Sequence, residues 1–197
     1  MSKGEATRSA VLGRALAMAS ERGLSGLTIG VLADVVGLSK SGLFAHFKSK
    51  EALQVAVLDE AIERFVAGVV SPALKKPRGE PRVRALVQGW MSWVKSEFLP
   101  GGCIFVQAMV ELDDRPGIAR DRLVAAQRDW LDTLTTAVRI AKEEGHFRKN
   151  LDPAQLAQEL VTIAYGHHLV ARTLRDPAID ARTQRAYERL FEDARAS

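Results

Sequence analysis

Gly37-Leu38-Ser39-Lys40-Ser41-Gly42-Leu43-Phe44-Ala45-His46-Phe47-Lys48-Ser49-Lys50-Glu51 is the stretch that decides how this chain reads. Gly37 can close one short helix, Ser39 or Lys40 opens the next, and Phe47 ends it. Two short helices joined by so tight a turn can lay the second in a DNA major groove. Leu32, Val36, Leu38, Leu43 and Phe47 would then form an inner face with the first helix of the chain. Ser39, Lys40, Ser41, Gly42, Phe44, Ala45 and His46 remain for the outer side. That outer set combines short hydroxyls, a cation, an imidazole and a glycine that permits close approach. Serine can read several base edges or hold phosphate, and lysine contacts phosphate or guanine.

Charge separates this segment from the rest. Residues 1–50 carry 7 Lys+Arg against 3 Asp+Glu, whereas the whole chain carries 28 against 24, which leaves 21 against 21 beyond residue 50. A basic head on a neutral body suggests nucleic-acid binding at one end only. No apolar run is long enough to span a bilayer, and Met1-Ser2-Lys3-Gly4-Glu5 lacks the apolar stretch of a secretory signal. Cys103 is the single cysteine, so no intrachain disulfide can form, and the expected setting is a reducing cytoplasm. No membrane partner is expected.

Helical periodicity runs almost throughout, and period-two alternation long enough for a strand is missing. Val11, Ala15, Leu16 and Ala19 form the first stripe, closed by Gly23; Thr28 can cap a second helix through Val36. Ser49 caps a long fourth helix to about Val70, and Pro72, Pro77 and Pro81 mark a connector. The next helix is expected to run from Val83 through Phe98 to the break at Pro100-Gly101-Gly102, and a shorter one spans about Cys103 to Leu112. Leu123, Gln127, Trp130, Leu134, Ala137 and Ala141 step by 4, 3, 4, 3, 4 along a long central helix, ended by Gly145. Asp152-Pro153-Ala154-Gln155 is a helix start, with Asp152 as cap and Gln155 able to bond back. Leu156, Leu160, Ile163, His167, Val170 and Leu174 repeat the same steps, and a last helix carries Ala186, Tyr187, Leu190, Phe191 and Ala194. The expected architecture is all-α, with about nine helices. A three-helix head (residues 1–50) is joined by the long fourth helix to a regulatory and dimerisation body (residues 51–197).

Lys50 would sit at the start of the fourth helix, where the dipole favours anions. A lysine beside free backbone N–H groups makes a phosphate site there. With it in place, Leu27-Thr28-Ile29, Ala33, Gly37-Leu38-Ser39, Leu43-Phe44, His46-Phe47, Ser49-Lys50-Glu51 and Leu53 together resemble the DNA-binding domain of the TetR (tetracycline-repressor) family over roughly residues 7–53. The resemblance implies that Lys50 holds phosphate, that Lys40 to Phe47 is the operator-contacting helix, and that Thr28 holds phosphate at the start of the second helix. The family's usual tyrosine is Phe44 here, so its hydroxyl bond is lost, and the head leans more on Lys40, Lys48 and Lys50. The resemblance further implies a homodimer that represses transcription from a near-palindromic operator until a small ligand binds the body. Beyond residue 70 it thins to Gly101-Gly102-Cys103, Glu111, Asp113-Asp114 and Pro116-Gly117, a pattern seen in one subgroup that names no ligand.

The last two long helices suit a dimer seam built from Leu156, Leu160, Ile163, His167, Val170, Leu174, Tyr187, Leu190 and Phe191; the same stripes also suit packing within one subunit. Trp90, Met91, Trp93, Phe98, Phe105, Met109, Trp130, Leu134, Tyr165 and His168 could line an apolar cavity, and each also reads as ordinary core. Neighbouring helical side chains point about 100° apart, so His167 and His168 do not suit one metal ion, and no metal or other cofactor is expected. His146, beside Gly145, reads as a cation at a helix end. Cys103 reads as a small core or loop thiol rather than a redox sensor. Two other classes fit less of the sequence: an activator or constitutive DNA-binding protein without inducer, and a helical enzyme or carrier. The latter lacks a nucleophile–base pair, and no catalytic residue is assigned.

Overall fold

Apolar residues at i, i+3 and i+4 make the first helix, α1 (Lys3–Arg22), which buries Val11, Leu12, Ala15, Leu16 and Ala19. Each leucine so buried contributes about 2 kcal/mol. Gly23 then takes φ 74°, the left-handed turn that stops the helix. A computed structural model describes residues 3–196 of the chain. The helices that follow are α2 (Ile29–Val36), α3 (Lys40–Phe47), α4 (Lys50–Phe65), α5 (Ser71–Leu74), α6 (Glu80–Trp93), α7 (Ile104–Leu112), α8 (Ile118–Glu143), α9 (Pro153–Leu174) and α10 (Ile179–Ala194). A π-helical stretch, Val66–Val70, joins α4 to α5, so helical backbone is unbroken from Lys50 to Leu74, which makes nine rods among the described residues. Among the described residues there is no strand, only an isolated bridge between Phe147 and Arg195.

Pro72 and Pro81 lie inside helical turns, not in the connector assigned to them, which shrinks to residues 75–79. Ser71 N–H bonds to Val66 O, an i→i−5 bond that shifts the ladder just before Pro72, a residue with no N–H to give. Pro81 occupies the first turn of α6, where a missing donor costs nothing. The helix expected to reach Phe98 ends at Trp93. Past it the chain turns tightly, Leu99 N–H to Ser96 O at 2.9 Å and Gly102 N–H to Leu99 O at 2.8 Å. Asp152 caps α9 through Ala154 and Gln155 N–H, but the Gln155 side chain donates forward to Glu159 rather than bonding back. His146, just past the end of α8, caps α6: its Nδ1 accepts the Glu80 N–H at 3.0 Å.

The contacts group the chain into two compact units. One holds the residues up to Arg64 together with Lys95–Ala126; the other holds Phe65–Val94 with Gln127 onward. In the first, α1 packs on α2 and α7, α2 packs on α3, and Leu32, Leu43, Phe47, Leu53 and Leu58 are buried. In the second, α9 lies along α10 and against α6, burying Leu86, Phe147, Leu160, Tyr187 and Phe191.

Candidate nucleic-acid interface

α2 and α3 are short because their caps are strong. Thr28 Oγ1 accepts the Val31 N–H at 3.2 Å to open α2, and Gly37 at φ 68° closes it. Ser39 Oγ accepts the Gly42 N–H at 3.1 Å and lies 3.2 Å from Ser41 Oγ, so only three residues separate α3 from α2. Of the expected inner face, Leu32, Leu43 and Phe47 are fully buried, while Val36 and Leu38 are half-buried. Ser39, Lys40, Ser41, Gly42, Phe44, Ala45 and His46 are all exposed, as expected for the outer face, and Phe44 keeps 54% of its surface in water. The side-chain ammonium groups of Lys40 and Lys48 have no hydrogen-bonded partner among the described residues. Lys48 holds φ 60° at the end of α3, where glycine would be cheaper, so the backbone bears a cost to keep a cation there.

Lys50 opens α4, with Ser49 Oγ accepting the Ala52 N–H at 3.0 Å. The Lys50 ammonium donates to Ser25 O at 2.8 Å, which parks it beside the turn between α1 and α2. A cleft of about 270 Å³ opens there, with Lys50, Arg115 and Arg120 among its walls. Glu111, Gln107 and Arg115 bind this turn or the end of α1, contacts that periodicity does not reveal; the glycine- and acid-rich pattern from Gly101 to Gly117 is their only sequence signal.

The expected pocket residues divide between the units. Phe98, Phe105 and Met109 lie in the first. Trp90, Met91, Trp93, Trp130, Leu134, Tyr165 and His168 lie in the second, where Phe65 stands edge-on to both Trp93 (5.3 Å) and Trp130 (5.0 Å). Trp90 lies 6.3 Å from Tyr165, whose hydroxyl bonds to Gln127. Trp130 Nε1 is a buried donor with no acceptor among the described residues. His168 is buried, and that burial, helped by Arg172 and His167, lowers its pKa to about 4. His167 is bonded within the subunit, Nδ1 to Thr183 Oγ1 at 3.0 Å. No group of three or more His, Cys, Asp or Glu suited to a metal occurs among the described residues.

Of the expected dimer residues, Leu156, Leu160, His167, Tyr187 and Phe191 are buried within the subunit, Ile163 and Leu190 half-buried, and Val170 and Leu174 exposed. Tyr187 is so deeply set that burial pushes its hydroxyl pKa up beyond its ordinary range.

An exposed polar helix behind a tight turn, with unpaired lysines at its end, is the build of a helix-turn-helix DNA-binding regulator. Residues 11–57 match bacterial regulatory proteins of the tetR family, and residues 79–187 match the tetracyclin repressor-like C-terminal domain. The chain therefore belongs to the TetR family and is a DNA-binding transcriptional regulator. It is 26% identical over 144 residues to the HTH-type transcriptional repressor DhaR of a Mycobacterium species, covering 72% of this chain and 70% of that one. It is 32% identical over 89 residues to the HTH-type transcriptional activator FasR of Mycolicibacterium smegmatis, covering 43% and 41%. A TetR transcriptional regulator from Chloroflexus aurantiacus superposes with a TM-score of 0.85 at 28% identity over 100% of both chains. No helix among the described residues is long and apolar enough to cross a membrane.

Proposed function

We propose that the chain is a cytoplasmic homodimeric repressor whose head (residues 1–50) binds a near-palindromic operator and whose remaining residues (51–197) dimerise and take a small apolar or amphipathic effector. Thr28, Ser39, Lys40, Ser41, Gly42, Phe44, His46, Lys48 and Lys50 make the DNA contacts. The observation that carries this is the outer face of α3: every polar side chain on it is exposed, and its lysines are unpaired among the described residues. Such donors gain on meeting phosphate and base edges without breaking a bond of the fold. The exposed apolar side of α9, Leu169, Val170 and Leu174, with Ile163 and Leu190, is the surface left for a second copy. The effector reading is supported by the aromatic cluster of the second unit and by Trp130 Nε1, which an effector oxygen would satisfy. A ligand that prefers the conformer with wrongly spaced heads releases DNA by as much as its differential affinity allows. Selection of genomic fragments by the purified protein, followed by footprinting, tests this. A protected two-fold site in a promoter is expected, and absence of any preferred site would refute it.

A further inference from the structure

We infer that Glu111, which falls in the C-terminal family segment, is a positioning residue for DNA binding, holding the α1–α2 turn on which the head's phosphate contacts are mounted. The inference rests on the DNA-binding reading of the head. Its basis is that four bonds to the backbone of Leu24 and Ser25 come from side chains elsewhere in the first unit, beside the local Leu27 N–H to Leu24 O bond. Glu111 Oε2 accepts the Leu24 N–H at 2.7 Å and Oε1 accepts the Ser25 N–H at 2.5 Å. Gln54 Nε2 donates to Leu24 O at 2.8 Å, and Lys50 Nζ to Ser25 O at 2.8 Å. Arg115 Nη1 reaches Ser25 Oγ at 2.9 Å. A carboxylate accepting two N–H groups makes charge-assisted bonds, stronger than those between neutral groups. Leu27 is buried two residues further on, and Thr28, the cap of α2, follows it. Fixing Leu24 and Ser25 therefore fixes both the start of α2 and the resting place of the Lys50 ammonium.

The rest of the Gly101–Gly117 pattern anchors Glu111. Gly101 N–H donates to Ser20 Oγ at 3.0 Å, and a Cβ on Gly101 would lie 1.5 Å from Ser20 O, so only glycine fits. Gln107 Nε2 donates to Ser20 O at 2.5 Å, taking a carbonyl near the end of α1 that the helix leaves open. Ile118 N–H donates to Glu51 Oε1 at 2.9 Å, on the first turn of α4. The pattern thus grips the end of α1, the turn and the start of α4 in succession.

The test uses full-length Glu111→Ala and Glu111→Gln, a duplex recovered by genomic selection, far-UV circular dichroism and amide exchange. Glu111→Ala is expected to keep its helix content, to exchange Leu24 and Ser25 amides faster, and to bind the duplex about tenfold more weakly. The salt dependence of binding should stay unchanged, because no cation is lost. Glu111→Gln retains one acceptor oxygen and should fall between wild type and Glu111→Ala; it also serves if Glu111→Ala fails to fold. Faster exchange with wild-type affinity would overturn the positioning role, and unchanged exchange would overturn the clasp itself. Wild-type protein that binds no duplex would instead refute the DNA-binding reading beneath it.

Discussion

Two polar surfaces of this molecule carry similar residues and use them in opposite ways. In the second unit Arg84 donates Nε to Glu80 at 2.6 Å and both terminal nitrogens to Glu188 at 2.8 and 2.9 Å, while its guanidinium lies 4.2 Å from the Phe191 ring centroid. Arg195 adds a bidentate pair to Glu80. Its hydrogen bond, with help from Arg84, holds the Glu80 carboxyl below the usual carboxylate range, and the bonds to Glu188 raise the Arg84 pKa. On α3, by contrast, Lys40 and Lys48 stand in water, and Ser39 and Ser41 bond only locally. Donors that are already paired hold the fold together; donors left open are available to a ligand. The type of residue does not separate the two roles, but the state of its hydrogen bonds does.

The largest effect that would sharpen this contrast is on stability. Arg84→Met should cost about 2 kcal/mol in urea unfolding, less than a fully buried pair because Glu188 stays partly solvated, and should leave operator affinity per folded molecule unchanged. Acid comes next. Below about 6.5 an unfolded His168 takes up a proton, while the folded one stays neutral until about 4, so unfolding binds a proton and stability falls as pH drops through that window. Glu80 and Glu188, held low by their arginines, act in the same direction further into acid, their contribution vanishing as they protonate. His168→Gln should flatten unfolding midpoints between pH 6.5 and 4 while leaving the more acid loss in place. On the other surface, Lys40→Ala should weaken operator binding about fivefold with no change in melting midpoint, because no bond of the fold is broken. The smallest effect is expected from Phe44→Tyr. A hydroxyl restored at this exposed position should tighten binding two- to threefold, or about 0.5 kcal/mol, by titration against a labelled duplex; weaker binding would mean that α3 docks differently.

The head was legible in sequence because its signals are local. Thr28, Gly37, Ser39 and Ser49 cap or close helices by bonds reaching only three or four residues, and these stand where expected. Periodicity found the body helices but not what their side chains do. Leu156, Leu160, Tyr187 and Phe191 form a stripe that fits a partner or a core equally well, and burial within the subunit is a property of the folded chain. Phe98 kept the apolar rhythm of α6 after the helix had ended, because the turn beyond Trp93 still buries Leu99 and sets Phe98 against Arg64, 5.1 Å from the guanidinium. His146 acts on a residue 66 positions away, and Glu111 on ones 86 and 87 away, distances over which no periodic pattern carries information. The Gly101–Gly117 pattern was visible as letters; only the contacts of Gly101, Gln107 and Glu111 with α1 and its following turn give it a meaning.

The account turns on the claim that the open cations of the head, and not lysines in general, meet DNA. Operator affinity measured against salt for Lys40→Ala and Lys48→Ala, with Lys75→Ala and Lys76→Ala from the exposed connector as equal-charge controls, tests it directly. The log–log slope should fall by about one for each head lysine that meets a phosphate and stay at the wild-type value for both controls. Equal changes in both groups, or no change in the head group, would contradict it.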